Sequence, residues 1–133
     1  MENNYEGIEQ TEMGSVKIAD EVVEIIAGLA ATEIEGVAGM SGGIAGGIAE
    51  LLGRKNLSKG VKVEVGSKEA AVDLYIVMDY GVSIPEISRL IQEKVKDAIE
   101  TMTGLIVVEV NVHVQGVVFQ KDEEHEEEVI RVK

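Results

Sequence analysis

Two stretches of this chain place polar side chains at every second position between apolar ones. In the later stretch Glu109, Asn111 and His113 offer oxygen and imidazole nitrogen atoms, which can bind a metal ion or move a proton. Because a strand points alternate residues to one face, these three side chains share a face of a predicted sheet. They could form a row of ligands, and an ordinary solvated sheet face explains the same pattern.

The earlier stretch carries Asp73, Tyr75 and Asp79 on the polar face of a second predicted strand. Its two carboxylates stand six residues apart, or ~20 Å along a strand at ~3.3 Å per residue. That distance is too long for an acid–base pair acting on one bond, which requires roughly 5–9.5 Å. With only His113 and His125 in the chain, no Ser–His–Asp set can be assigned. We therefore expect no catalytic residue, metal or cofactor.

A glycine-rich segment at residues 36–60 resembles a phosphate-binding loop only superficially. It contains neither GxxxxGK[ST] nor GxGxxG, so flexible linkage explains the glycines better than a nucleotide site does. Within the segment, apolar residues at helical spacing predict a short, marginal amphipathic helix with two basic residues at its rim. These residues form the predicted contact surface for a partner: Ile44, Ile48, Leu51, Leu52, Arg54 and Lys55. Packing of the same apolar side chains on the sheet is the alternative.

The elements around these residues follow from the period of the apolar positions. Residues 61–79 predict a hairpin, and residues 108–114 a strand that can extend to Phe119. Between them the period changes to that of a helix, with Pro85 in its first turn and Gly104 at its end. An earlier helix is predicted with Asp20 as its N-cap and Gly36 at its end. The fold class is α+β, with one small mixed sheet of three to four strands and two long helices on one face.

Charge divides the chain into three parts and limits its partners. Residues 1–13 predict a disordered acidic leader, residues 14–119 a single domain, and residues 120–133 an acidic disordered tail. The net charge is −13, and the body alone carries fifteen acidic against nine basic residues. Such a body repels phosphate backbones and anionic lipids, so nucleic-acid binding is not expected. No apolar run reaches the ~20 residues of a membrane span, no secretory signal is evident and cysteine is absent, which favours the cytoplasm.

The sequence of residues 14–119 resembles that of the alkaline shock protein family of Gram-positive bacteria, also called envelope stress response proteins. GVSIPE at residues 81–86 and VNVHVQGV at residues 110–117 carry the resemblance most specifically. The resemblance implies a small cytoplasmic protein without known catalytic residues. It also implies self-association, or attachment near the membrane through a separate membrane-anchored partner.

These observations favour a non-enzymatic scaffold or adaptor in envelope stress, acting as a homo-oligomer or docked on a protein partner. Direct membrane insertion is not expected. The alternative is a regulator of metabolism, such as fatty-acid precursor synthesis, or a small-molecule or nucleotide binder that uses the glycine-rich loop.

Overall fold

The computed structural model describes residues 8–41 and 59–119, which contain a four-stranded mixed sheet and two helices. This architecture confirms the predicted α+β class. The elements in chain order are β1 (Ile8–Thr11), β2 (Gly14–Lys17), α1 (Asp20–Thr32), β3 (Val37–Met40), β4 (Val61–Val65), β5 (Glu69–Asp79), α2 (Ile84–Thr103) and β6 (Ile106–Val118).

Strand β5 lies in the middle of the sheet, because the three other strands of that sheet all pair with it. β6 runs parallel along one edge of β5. β3 and β4 both run antiparallel along the other edge, β3 beside residues 76–78 and β4 beside residues 70–74. The junction between β3 and β4 therefore falls at Tyr75.

The core lies on the side of the sheet that faces the helices. Alternate residues of β5 from Ala70 to Met78 are buried there, and the residues between them are only half-buried. The low aromatic content of the sequence explains why this core is aliphatic. Its largest fully buried side chains are Leu74, Ile76, Met78, Ile91, Ile99, Val23, Val72 and Val95.

Pro85 and Gly104 lie at the two ends of α2 as the sequence predicts. Ser83 is the N-cap, and its Oγ accepts a hydrogen bond from the Glu86 amide at 3.4 Å, with Pro85 in the first turn. At the other end Gly104 adopts the left-handed conformation, with φ 81°, and closes the helix.

The ends of α1 differ from the prediction. Asp20 lies inside the first turn, because Ala19 takes the extended N-cap conformation without a side-chain cap. The helix ends at Thr32, whose hydroxyl donates back to the Gly28 carbonyl, and Gly36 follows only after a turn.

Two strands lie where the sequence predicts none. β1 pairs antiparallel with β2, so residues 8–13 of the predicted leader belong to a hairpin. β3 occupies part of the glycine-rich segment, where pairing with β5 supplies the order that its four residues lack alone. The predicted marginal helix, the tail at residues 120–133 and the start of the leader lie outside the described residues.

Candidate functional site

The open face of the sheet, opposite the helices, brings together polar residues from three strands. Lys62 of β4 lies opposite Asp73 of β5, which lies opposite Asn111 of β6. One row further along, Tyr75 lies opposite His113. We call these five residues the open-face cluster. The sequence predicted the polar faces of β5 and β6 separately, and the sheet register joins them.

The carboxylate of Asp73 holds the cluster together. Its Oδ1 accepts from Asn111 Nδ2 at 3.1 Å and lies 3.1 Å from His113 Nε2. The hydrogen bond with His113 is the largest influence on Asp73, and together with Asn111 and Lys62 it outweighs desolvation, so the pKa of Asp73 falls below its usual value. Asp73 is therefore ionised at neutral pH. A neutral His113 that donates from Nε2 keeps Nδ1 as an acceptor.

The two rings of the cluster are stacked. The Tyr75 and His113 rings are nearly parallel, with their centroids 4.5 Å apart and an angle of 9° between their planes. The Lys62 ammonium lies 5.9 Å from the Tyr75 centroid, at the outer limit of a cation–π contact. Stacking on one side and Asp73 on the other fix the plane of the imidazole.

An Asp–His pair is part of an acid–base apparatus, but a catalytic triad also requires a nucleophile. Beside the cluster, the Ser41 hydroxyl donates to Gln115 Oε1 at 3.3 Å and so is not directed at His113. Of the predicted row of ligands, Asn111 and His113 contact Asp73, and Glu109 lies opposite Ala71. Within the described ranges, no group of three or more His, Cys, Asp or Glu side chains could hold a metal ion. The cluster offers a ring face, a carboxylate and hydrogen-bonding groups to a contacting molecule.

The chain leaves and re-enters the sheet beside this cluster. The Ser41 amide donates to the Tyr75 carbonyl at 2.7 Å, and the Tyr75 amide donates to the Gly60 carbonyl at 2.8 Å. Gly60 has φ +83°, and a Cβ there would lie 3.0 Å from the Ser41 carbonyl oxygen. Ser41 and Gly60 therefore both lie next to Tyr75, although they are 19 positions apart in the chain. The predicted contact surface lies outside the described residues: Ile44, Ile48, Leu51, Leu52, Arg54 and Lys55.

Helix α2 covers part of the outer edge of β6 with a polar stripe. Gln92 Nε2 donates to the Val110 carbonyl at 3.0 Å, and Glu100 Oε2 accepts from the Val107 amide at 2.9 Å. Lys96 Nζ bridges Glu100 at 2.8 Å and the Val107 carbonyl at 3.4 Å. The hydrogen bond from Lys96, followed by that from Val107, lowers the pKa of Glu100. The sequence signal was present, because these three residues recur every four positions beside the buried stripe of α2.

In comparison with known proteins, residues 8–119 match the model of the alkaline shock protein family. That family is described as having a cell envelope-related function. Two proteins of Bacillus subtilis are similar to this chain. YqhY is 43% identical over 111 residues, 84% of this chain and 82% of YqhY. YloU is 37% identical over 110 residues, 81% of this chain and 92% of YloU.

A stress response regulator gls24 homolog of Streptococcus pyogenes is 39% identical over 102 residues, which cover 76% of this chain and 57% of that protein. Among solved structures, a MamM-CTD variant is similar over 72% of this chain and 95% of its own, with 16% identity and a TM-score of 0.44. No helix in the described part of the chain is long and apolar enough to cross a membrane.

Proposed function

This chain belongs to the alkaline shock protein family, whose function is cell envelope-related, and on that premise we propose that it is a non-enzymatic scaffold or adaptor in envelope stress. It acts by self-association or by docking on a membrane-anchored protein partner. A relative named as a stress response regulator supports the part of the proposal that concerns stress.

One observation carries the proposal: Tyr75 joins the open-face cluster to Ser41 and Gly60, which lie on either side of residues 42–58 in the chain. Its backbone binds Ser41 and Gly60, and its ring stacks on His113. A partner that contacts the cluster therefore also lies next to Ser41 and Gly60, and the residues between these two in the chain carry the predicted contact surface. Tyrosine is enriched among residues that dominate binding energy at interfaces, and a ring already held by a neighbour loses little freedom on binding.

The charge of the open face indicates what kind of partner it fits. Glu64, Asp73, Asp79 and Glu109 outnumber Lys62 among the charged residues on this side of the sheet. A protein surface that presents basic or neutral groups is favoured, and an anionic lipid surface is not. The chain therefore works in the cytoplasm and reaches the membrane periphery through its partner.

Site-specific photo-cross-linking in cells tests the docking surface. A cross-linking residue at position 75 should capture the same envelope partner repeatedly, whereas one at Lys68, in the turn of the β4–β5 hairpin, should not. Equal capture from both positions, or none from position 75 in stressed cells, would overturn the proposed surface.

A charge-reversal variant tests the predicted contact surface directly. Leu51→Asp with Arg54→Glu and Lys55→Glu should abolish co-purification of that partner. The matched control, Leu90→Asp with Arg89→Glu, changes a half-exposed leucine and an exposed arginine on α2. This control should leave co-purification of the partner unchanged. Retention of the partner by the folded triple variant removes these residues from the surface.

The alternative function, binding of a small molecule or nucleotide, predicts a different result. A ligand at 100 times its Kd stabilises the folded state by ~2.7 kcal/mol, which a thermal-shift screen detects. The adaptor proposal predicts no shift with nucleotides or acyl-coenzyme A, and a saturable shift would replace it with the binder.

A further inference from the structure

We infer that two copies of this chain pair antiparallel through the outer edge of β6, from residue 111 to residue 115, and so join their sheets. This inference rests on the proposed function, because it names the surface through which the scaffold self-associates. β6 has 13 residues, and only its inner edge is paired with β5.

The direction of its backbone groups shows which part of β6 is open. The carbonyl of Val110 and both backbone groups of Val107 bind side chains of α2, so these residues point away from β5. A β-bulge between Val107 and Glu109 lets Val107 and Val110 both point outward although they are three positions apart. From Val110 onward the backbone groups alternate in direction, which points the N–H and C=O of Val112 and Val114 outward as well. No described residue hydrogen-bonds to these groups from the outer side. The polar stripe of α2 therefore protects the first half of β6 and leaves the second half open.

The opposite edge of the sheet is built differently. β3 and β4 have only four and five residues and are interrupted at Tyr75. β4 also carries two charged residues, Lys62 and Glu64, at alternate positions. Short strands, charges and interruptions are the features by which proteins prevent edge-to-edge pairing. Residues 111–114 of β6 have no charged residue, no proline and no bulge, so they lack that protection, and a bulge interrupts the edge only at Gln115.

Charge favours a second copy as the occupant of this edge. The chain carries a net charge of −13, so two copies repel each other over most of their surfaces. β6 repels a second copy less, because Glu109 is the one charged residue among its 13 residues. Val117 and Phe119, 46% and 68% exposed, add apolar surface just beyond this stretch. A twofold axis at His113 pairs Val112 of one copy with Val114 of the other and makes an eight-stranded sheet.

Two measurements on the full chain test this pairing. Light scattering across a wide range of protein concentration should show a monomer–dimer equilibrium. Over the same range, amide hydrogen exchange at Val112 and Val114 should slow as the dimer forms. The dimer should also tighten as salt rises, because salt screens repulsion between the acidic bodies. A dimer held by Arg54 and Lys55 of one copy against carboxylates of the other would instead weaken as salt rises.

A matched pair of proline variants locates the contact. Val114→Pro removes one outward amide from each copy and should raise the dimer Kd about 30-fold, which corresponds to ~2 kcal/mol for two hydrogen bonds. On β4 the Gly60 carbonyl points toward β5, so alternation points the Val63 amide outward. Val63 and Val114 both pack partly buried against the core, so Val63→Pro is the control and should leave the Kd unchanged.

Each outcome decides between the inference and the wider proposal. Dimerisation without protection of Val112 and Val114 overturns the β6 interface and leaves self-association standing. A monomer at every concentration overturns the inference as well, and the adaptor function then depends on cross-linking at position 75 alone. If Val114→Pro does not fold, protection in the unmodified chain settles the question.

Discussion

Replacement of Gly60 by alanine tests whether Gly60 lies between Ser41 and Tyr75 as the structure describes. Gly60 has φ +83°, and an added Cβ would lie 3.0 Å from the Ser41 carbonyl oxygen, 3.1 Å from Met40 Cβ and 3.1 Å from the Tyr75 carbonyl oxygen. Backbone oxygens cannot move aside as the end of a flexible side chain can, and the Tyr75 oxygen already accepts the Ser41 amide. The substitution therefore combines a strained backbone with steric overlap.

The two costs can be estimated separately. A non-glycine residue in a left-handed conformation costs about 1–2 kcal/mol, and an extra methyl group in a filled space costs about 1–3 kcal/mol. We expect Gly60→Ala to lower the free energy of unfolding by about 3 kcal/mol. For a domain of this size that corresponds to a fall in Tm of about 10–20 °C.

Urea titration followed by circular dichroism measures the loss, and Gly39→Ala is the control. Gly39 lies in β3 on the same edge of the sheet, without a positive φ, and an added Cβ there meets nothing within 4 Å. Gly39→Ala should change stability by no more than about 0.5 kcal/mol. If Gly60→Ala proves as stable as Gly39→Ala, Gly60 does not lie against Ser41 and Tyr75, and the proposed docking surface loses its geometric basis.

Three further predictions concern the core, the cluster and a helix cap. Leu74→Ala removes a fully buried side chain from β5 and should cost about 2–5 kcal/mol in urea unfolding. Asp73→Asn should be less stable than the unmodified chain at neutral pH. Because the folded pKa of Asp73 is lowered, its stabilisation is present above the unfolded pKa of about 3.9 and lost as pH falls through the folded value, so the two unfolding curves should converge in acid. Ser83→Ala should cost about 0.5–1 kcal/mol in thermal unfolding, at the low end for a cap because its hydrogen bond is 3.4 Å long.

The parts of the fold that depend on local chemistry were predictable from the sequence. Ser83, Pro85 and Gly104 mark the ends of α2 by their own conformational preferences, and the alternation in β5 reflects one buried face. β3 was not predictable, because its four residues contain Gly39 and show no period. Its order comes from pairing with β5, which lies more than thirty residues later in the chain.

The candidate site shows the same limit. The sequence placed Asp73 and His113 on polar strand faces, but they are 40 residues apart and their contact depends on the register between β5 and β6. A slip of one residue would move His113 to the helix-facing side of the sheet. The sequence predicted which residues could take part, and tertiary pairing determined which of them meet.

The positions of the two proposed surfaces bear on how a scaffold could work. The docking surface surrounds Tyr75, where the β3–β4 edge is interrupted, whereas the self-association surface is the opposite edge, on β6. Surfaces on opposite edges can be occupied together, so a dimer presents two docking surfaces, and a partner held in one membrane is then bound at two points. Two linked contacts bind more tightly than either contact alone when the geometry allows both. Val114→Pro should therefore weaken retention of the chain at the membrane without reducing cross-linking from position 75 to the partner. Loss of both together would mean that docking requires the dimer, and the two surfaces would then not be independent.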